Sequence, residues 1–185
     1  MKKIISVVFA LFLCMAVSAQ QHMKFMGIPL DGTIDNFALK LKAKGVTYDA
    51  AESKSADAGT RIFYGKFMGE KARFIVFYNY KSKIVFSAAV ELNYPTVESA
   101  HTPFVNLNEQ LQQKYPDATC KEYTGPDSDV DGLAIEIFDE AGENMIGFIL
   151  QTLKASSSGY GISIYLTYTD SDNFMKSEKI LGEDL

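Results

Sequence analysis

Three carboxylates at alternate positions, followed by a glycine, form the most distinctive chemical pattern in the sequence: Asp127, Asp129, Asp131 and Gly132. Oxygens at this spacing can surround a hard cation, and the glycine allows the sharp turn of a calcium-binding loop. The second half of such a loop is missing, because the position that needs a bidentate glutamate holds Phe138. The residues before it alternate like a strand. Two interpretations therefore remain, a weak calcium site and an acidic turn that precedes a strand.

Other reactive residue types are scarce or lack a recognisable arrangement. The chain has two histidines and two cysteines, and no pair has the spacing of zinc ligands. Cys120 and His101 could form a nucleophile and its base, and Glu136 with Glu143 could act in glycoside hydrolysis. Neither pair has a supporting local signature, and no phosphate-binding or nucleophile-elbow motif is found. We therefore predict a non-catalytic protein, with a carboxylate-based hydrolase as the alternative.

Tyrosine is the other residue type whose placement suggests a function. The chain has ten tyrosines and no tryptophan. In the last predicted strand Ile164 and Leu166 point to one side, called the covered face because helices are expected there, and Tyr165 points to the other, called the open face. Exposed tyrosine offers both apolar area and a hydroxyl, so Tyr78, Tyr80 and Tyr165 are predicted to bind a partner on the open face. The alternative is that these rings serve ordinary cross-strand packing.

Two amphipathic helices are predicted to cover the sheet. The first has Thr33 as its N-cap, ends at Gly45, and carries a stripe formed by Ile34, Phe37 and Leu41. The second is expected after a short turn at 97–100, with Thr102 as N-cap and Pro103 in the first turn. It ends at Pro116, and its buried stripe comprises Phe104, Leu107, Leu111 and Tyr115.

The strand signals follow the same order twice. Strands are predicted at 61–68, 71–80 and 84–93, and again at 133–139, 144–154 and 159–169, with a loop at 50–59. The predicted fold is α+β, with two tandem helix-plus-antiparallel-sheet units at 20–94 and 95–170 and helices on one sheet face. Similar Gly-Glu turns at 69 and 142 suggest an internal duplication. Residues 171–185 are predicted to form a short helix or an acidic tail.

The first nineteen residues have the three parts of a secretory signal peptide. Lys2 and Lys3 precede an apolar stretch, and small residues stand before a cleavage site after Ala19. The alternatives are an uncleaved anchor and lipid attachment at Cys14. The predicted location is periplasmic or secreted, with no membrane span after cleavage. No oligomeric state follows from the sequence.

The net charge limits the classes of partner expected for the exported chain. Without Lys2 and Lys3, 16 basic residues face 23 acidic ones, a net charge of −7. Nucleic acid and anionic membranes favour a basic surface, so neither is expected as a partner. A protein or a glycan is the expected partner, with calcium as the one possible cofactor. Removal of Cys14 leaves Cys120 alone, so a disulfide within the chain is excluded.

Two resemblances add an expectation about the fold. The segment 25–32, followed by Phe37, Leu41, Lys44 and Gly45, resembles the opening of small uncharacterised exported proteins of anaerobic Gram-negative bacteria. The order of elements is similar to the tandem architecture of the β-lactamase inhibitor protein family. This likeness implies a sheet with helices on one face and carries over no functional residue. The hypotheses are a binding protein, a carboxylate-based hydrolase and a calcium-stabilised structural module.

Overall fold

The computed structural model describes residues 21–124, 131–155 and 161–182 of the chain. The helices of this part are α1 (Ile34–Ala43), α2 (Ala50–Ser55), α3 (Val97–Lys114) and α4 (Ser171–Gly182). The strands are β1 (Lys24–Phe25), β2 (Ile28–Pro29), β3 (Thr47–Asp49), β4 (Thr60–Phe67), β5 (Glu70–Tyr78), β6 (Val85–Tyr94), β7 (Thr119–Thr124), β8 (Asp131–Phe138), β9 (Met145–Ala155) and β10 (Ile162–Asp170).

Eight of these strands form one antiparallel sheet, in the order β3-β4-β5-β6-β10-β9-β8-β7. Consecutive strands pair in two meanders, β3 to β6 and β7 to β10, and the pairing of β6 with β10 joins them at the centre. Strands β1 and β2 form a separate small hairpin. The prediction of a mixed α+β fold with an antiparallel sheet is therefore confirmed.

The six predicted strands are all present, and two edge strands were missed. Strand β3 has only three residues, and most residues of β7 are polar. Edge strands pair on one side only, so their sequences need not carry a clear apolar alternation. Each meander consequently has four strands, where the sequence predicted three.

The loop predicted at 50–59 is wrong over its first half, where α2 forms. The side chain of Asp49 accepts a hydrogen bond from the backbone N–H of Glu52 at 2.8 Å and so caps this short helix. Because most residues of this segment are small or polar, the sequence pattern did not distinguish Asp49 as a helix cap. Beyond the helix, Gly59 has φ +88° and an added Cβ would lie 2.5 Å from the Tyr78 carbonyl oxygen, so glycine is required there.

The second long helix begins earlier than predicted. Thr96 is its N-cap, and Thr96 and Ser99 form a reciprocal capping box. The predicted start at Thr102 is wrong, because Pro103 lies in the interior of α3 and not in its first turn. Proline there has no N–H to donate to the carbonyl of the preceding turn, and the helix continues past it.

The covered face of the sheet is packed beneath α1, α3 and the β1–β2 hairpin. Phe74 of β5 lies opposite Val90 of β6, which in turn lies opposite Leu166 of β10. Their exposed fractions are 0 %, 0 % and 1 %. The stripe predicted for α1 is buried as a whole, whereas in α3 Leu107 and Leu111 are buried and Phe104 and Tyr115 only half-buried. The largest buried members of the core are Phe25, Leu30, Ile34, Phe37, Leu41, Phe63, Phe74, Ile135, Ile149, Ile164 and Leu166.

The remaining helices lie elsewhere, so the prediction of helices on one sheet face needs correction. The Oγ of Ser53 in α2 accepts a hydrogen bond from the backbone N–H of Ile62 at 2.8 Å, which places α2 beside the open face at β4. Helix α4 crosses the end of the sheet, where Asn173 donates to the carbonyl oxygens of Leu30 and Val85. Of the two alternatives for the C-terminal segment, the helix is observed.

Candidate functional site

The open face carries a band of partly exposed apolar side chains across its central strands. Residue pairing places Ile75 opposite Ala89, Ala89 opposite Thr167, and Thr167 opposite Leu150. The half-buried members of this row and of the rows on either side of it are Ile75, Phe77, Phe148, Leu150, Tyr165 and Thr167. Tyr165 therefore lies on the face that the sequence predicted for it.

A buried glutamate lies at the centre of this face. Glu91 of β6 pairs with Arg73 of β5 on one side and with Tyr165 of β10 on the other. Its side chain is fully buried, and the Nη1 of Arg73 donates to its Oε2 at 2.9 Å. The Oγ of Ser163 donates to the other carboxylate oxygen at 3.1 Å. The buried charge is thus both paired and hydrogen-bonded, which a buried carboxylate requires.

The same arginine connects the sheet to α2. The Nε of Arg73 donates to Glu52 Oε1 at 2.7 Å, and the hydroxyl of Tyr64 donates to the other oxygen of Glu52 at 2.5 Å. Burial by itself lowers the pKa of Arg73, but its bonds to Glu52 and Glu91 outweigh this and raise the pKa. Arg73 therefore stays charged, and the polar groups on this part of the face are held in fixed positions.

Tyr165 contacts a cation. The Nζ of Lys154 lies 4.1 Å from the centre of the Tyr165 ring, within the range of a cation–π interaction. Lys154 and Tyr165 belong to the adjacent strands β9 and β10. The ring is thus oriented by its neighbour while part of its surface stays exposed.

The prediction that Tyr78 and Tyr80 share the open face with Tyr165 is wrong. Tyr78 packs against the core of the covered face, and the guanidinium of Arg61 lies 5.7 Å from its ring centre. A register shift after Phe77 interrupts the pairing of β5 with β6 at this position. Tyr80 lies beyond the end of β5 and is exposed, with the Lys81 ammonium 5.8 Å from its ring.

The predicted calcium motif lies largely outside the described residues. Asp127 and Asp129 are not among them, and Asp131 begins β8, where its backbone pairs with Thr124. Within ranges 21–124, 131–155 and 161–182, no group of three or more His, Cys, Asp or Glu residues could hold a metal ion. The calcium site therefore stays a prediction, which melting temperatures in calcium and in chelator would test.

The residues considered for catalysis are found in ordinary surface settings. Cys120 is exposed on the edge strand β7, and His101 is exposed on α3. Glu136 forms an ion pair with Lys121, whose Nζ lies 2.8 Å from Glu136 Oε1. Glu143 is exposed in the turn between β8 and β9.

A concavity at the end of the sheet also has carboxylates. It has a volume of about 750 Å³, and Asp117, Asp139 and Glu140 lie on its wall. The side-chain amide of Asn144 donates to Asp139 at 2.7 Å and lowers the pKa of that carboxyl. A general acid near neutral pH needs a raised pKa, so Asp139 does not suit that role.

Sequence reasoning missed the buried pair of Arg73 and Glu91. A signal was present, because Glu91 interrupts the run Ala88, Ala89, Val90 and Leu92 in a strand whose neighbours are small or aliphatic. A charge in such a run is costly unless a partner neutralises it. The partner could not be identified, because β4 and β5 carry Arg61, Lys66, Lys71 and Arg73, and only the register of the strands selects Arg73.

Comparison with known proteins identifies no relative. No protein-family model matches the chain, and neither the curated proteins nor the solved structures contain a match. In the described part of the chain, no helix combines the length and apolar character needed to cross a membrane.

Proposed function

We propose that this protein is an exported, non-catalytic binding protein that recognises a protein partner through its open face. The observation that carries the proposal is the band of half-buried apolar and aromatic side chains on that face. Such side chains lose water-exposed area when a partner covers them, and this provides most of the favourable free energy of association.

The polar network supports the same proposal. Arg73 is bonded to both Glu91 and Glu52, and Ser163 donates to Glu91, so these buried polar groups have protein partners before any ligand binds. A rigid sheet with fixed side chains loses little conformational entropy when it binds. Tyr165, held beside Lys154, adds a ring with a hydroxyl at the centre of the surface.

The finer features of the fold belong to this proposal. We infer that the two meanders are related units, because each follows a helix and each contributes four strands to the sheet. This arrangement supports the likeness to the β-lactamase inhibitor protein family. The leader at 1–19 supports export to the periplasm or beyond.

Site-specific photo-crosslinking tests the proposed surface. A photoreactive benzoylphenylalanine would replace Thr167 on the open face, with the full chain expressed in the organism that makes it. Thr167 is half-buried in the centre of the sheet, so a bound partner would lie within reach of its side chain. We expect one discrete adduct of higher mass on a denaturing gel after illumination.

The control places the same group at Val105, on the exposed side of α3. A second comparison uses Tyr165→Ser against Tyr48→Ser, because Tyr48 is an exposed tyrosine on the other side of the sheet. Tyr165→Ser should lower the yield of the adduct formed from position 167, and Tyr48→Ser should leave that yield unchanged. Adducts of equal yield from Thr167 and Val105, or none from Thr167, would contradict the proposal.

A further inference from the structure

Three lysines lie at one end of the open face, two of them on neighbouring strands and the third on β9, three strands from β5. Lys66 of β4 pairs directly with Lys71 of β5, and Lys154 of β9 pairs with Ser163 of β10. Side chains of a strand alternate between its two sides, so the position of Arg73 places Lys71 on the open face. The contact of Lys154 with Tyr165 places Lys154 there too. All three side chains are exposed.

This arrangement has a cost within the folded protein. Like charges that face each other directly across two strands are destabilising, and Lys66 and Lys71 occupy such positions. Carboxylates of the described residues form ion pairs with none of Lys66, Lys71 and Lys154. The chain as a whole carries a net charge of −5, so this row of basic side chains differs in sign from the overall charge of the chain. Violations of local rules of this kind tend to occur where function requires them.

The opposite end of the face has a different character. Phe77 pairs with Ser87, Ser87 with Thr169, and Thr169 with Phe148, so the two phenylalanines belong to one row across the sheet. This row lies four residues along the strand from Arg73, or about 13 Å. The open face therefore runs from a basic end, through the Arg73–Glu91 pair, to an aromatic end.

We infer that the partner presents an acidic polypeptide segment whose carboxylates lie over Lys66, Lys71 and Lys154 and whose apolar side chains cover Phe77 and Phe148. This inference rests on the proposed function of the open face. Carboxylates would relieve the repulsion between the lysines, and their approach would be faster and tighter at low salt. The aromatic row favours a polypeptide over an acidic polysaccharide, because only the former supplies aliphatic and aromatic side chains.

Fluorescence anisotropy with a defined peptide tests the inference. The probe is a short labelled peptide with a glutamate-rich half and a half rich in leucine and phenylalanine, titrated with protein purified after expression of the full chain. The variant combines Lys66→Gln, Lys71→Gln and Lys154→Gln. We expect about tenfold weaker binding, as three exposed charge interactions of ordinary strength would give.

A matched control removes the same charge elsewhere. Lys40→Gln, Lys42→Gln and Lys44→Gln change three exposed lysines in or next to α1, on the other side of the sheet. This triple variant should bind the peptide as the unaltered protein does. Raised salt should weaken binding to the unaltered protein more than binding to the open-face variant.

Several results would overturn the inference. The first is that the unaltered protein does not bind the peptide, and the second is that both triple variants lose the same amount of peptide affinity. The third is that a peptide with lysine in place of glutamate binds equally well. The fourth is that polygalacturonate binds more tightly than the peptide. A Thr167 adduct that survives the open-face triple change would reject the acidic partner and leave the proposed function standing. If the crosslinker at Thr167 forms no adduct in the protein without the lysine changes, the proposed function itself is rejected.

Discussion

The two faces of the sheet bury their side chains by different means. On the covered face, Phe74, Val90 and Leu166 form a row that α1, α3 and the β1–β2 hairpin seal from water. One residue away along each strand, Arg73, Glu91 and Tyr165 form the corresponding row of the open face. Helices supply apolar partners to the first row, whereas the polar groups of the second row are bonded to one another and, through Arg73, to Glu52 of α2.

The comparison shows that burial alone does not distinguish the two faces. Glu91 is as fully buried as Phe74, although it lies on the side without the long helices. Its neighbours Arg73 and Ser163 each donate a hydrogen bond to its carboxylate. What differs is the chemistry that remains accessible, since the open face still exposes part of Tyr165 and of the aliphatic band.

The largest expected effect compares adjacent residues on opposite faces. Phe74→Ala should lower the free energy of unfolding by about 4 kcal/mol, because a fully buried ring leaves a cavity in the core. Ile75→Ala, on the half-exposed side, should cost only about 1 kcal/mol. Urea unfolding followed by circular dichroism measures both. Equal losses would show that the open face is as tightly packed as the covered one.

The next effect concerns the buried ion pair. Arg73→Met should cost about 3 kcal/mol, because the buried Glu91 carboxylate would lose the guanidinium that neutralises it. The double variant Arg73→Met and Glu91→Met should be more stable than Arg73→Met alone, since no isolated charge remains. Additive losses in this double-mutant cycle, measured by urea unfolding, would mean that the two side chains are not coupled.

A smaller effect appears at high pH and belongs to the covered face. Burial, and to a lesser degree Tyr115, raises the pKa of Tyr168 above its ordinary value. The unfolded chain then loses this proton first, so stability should fall as the pH rises above about 10. Tyr168→Phe should show a shallower decline in urea midpoint over that range. A decline identical to that of the unaltered protein would contradict the assignment.

The smallest effect should be a gain. Lys66→Glu replaces the like-charge pair with Lys71 by an opposite-charge pair, which should raise the free energy of unfolding by about 0.5 kcal/mol. The same change should weaken peptide binding, so stability and recognition would move in opposite directions. Lys24→Glu, which changes an exposed lysine of the β1–β2 hairpin, serves as the control for both measurements. An unchanged free energy of unfolding would show that the ammonium groups of Lys66 and Lys71 already lie far apart in the folded protein.

Local sequence signals were sufficient where one periodicity dominates. The stripe of Ile34, Phe37 and Leu41 predicted α1, and the alternation around Tyr165 predicted both sides of β10. These signals work because a helix or a strand with one buried face repeats its apolar residues at a fixed interval. Helix α2 and the true start of α3 were missed, because the caps Asp49 and Thr96 look like ordinary loop residues.

The sequence by itself determined the α+β class, the six central strands and the side on which Tyr165 lies, because each depends on residues close together in the chain. Only the tertiary structure decided that β6 pairs with β10, that Arg73 neutralises Glu91, and that Tyr78 faces the core. Those outcomes depend on strand order and on a register shift. Both arise from contacts between distant segments, which no local pattern specifies.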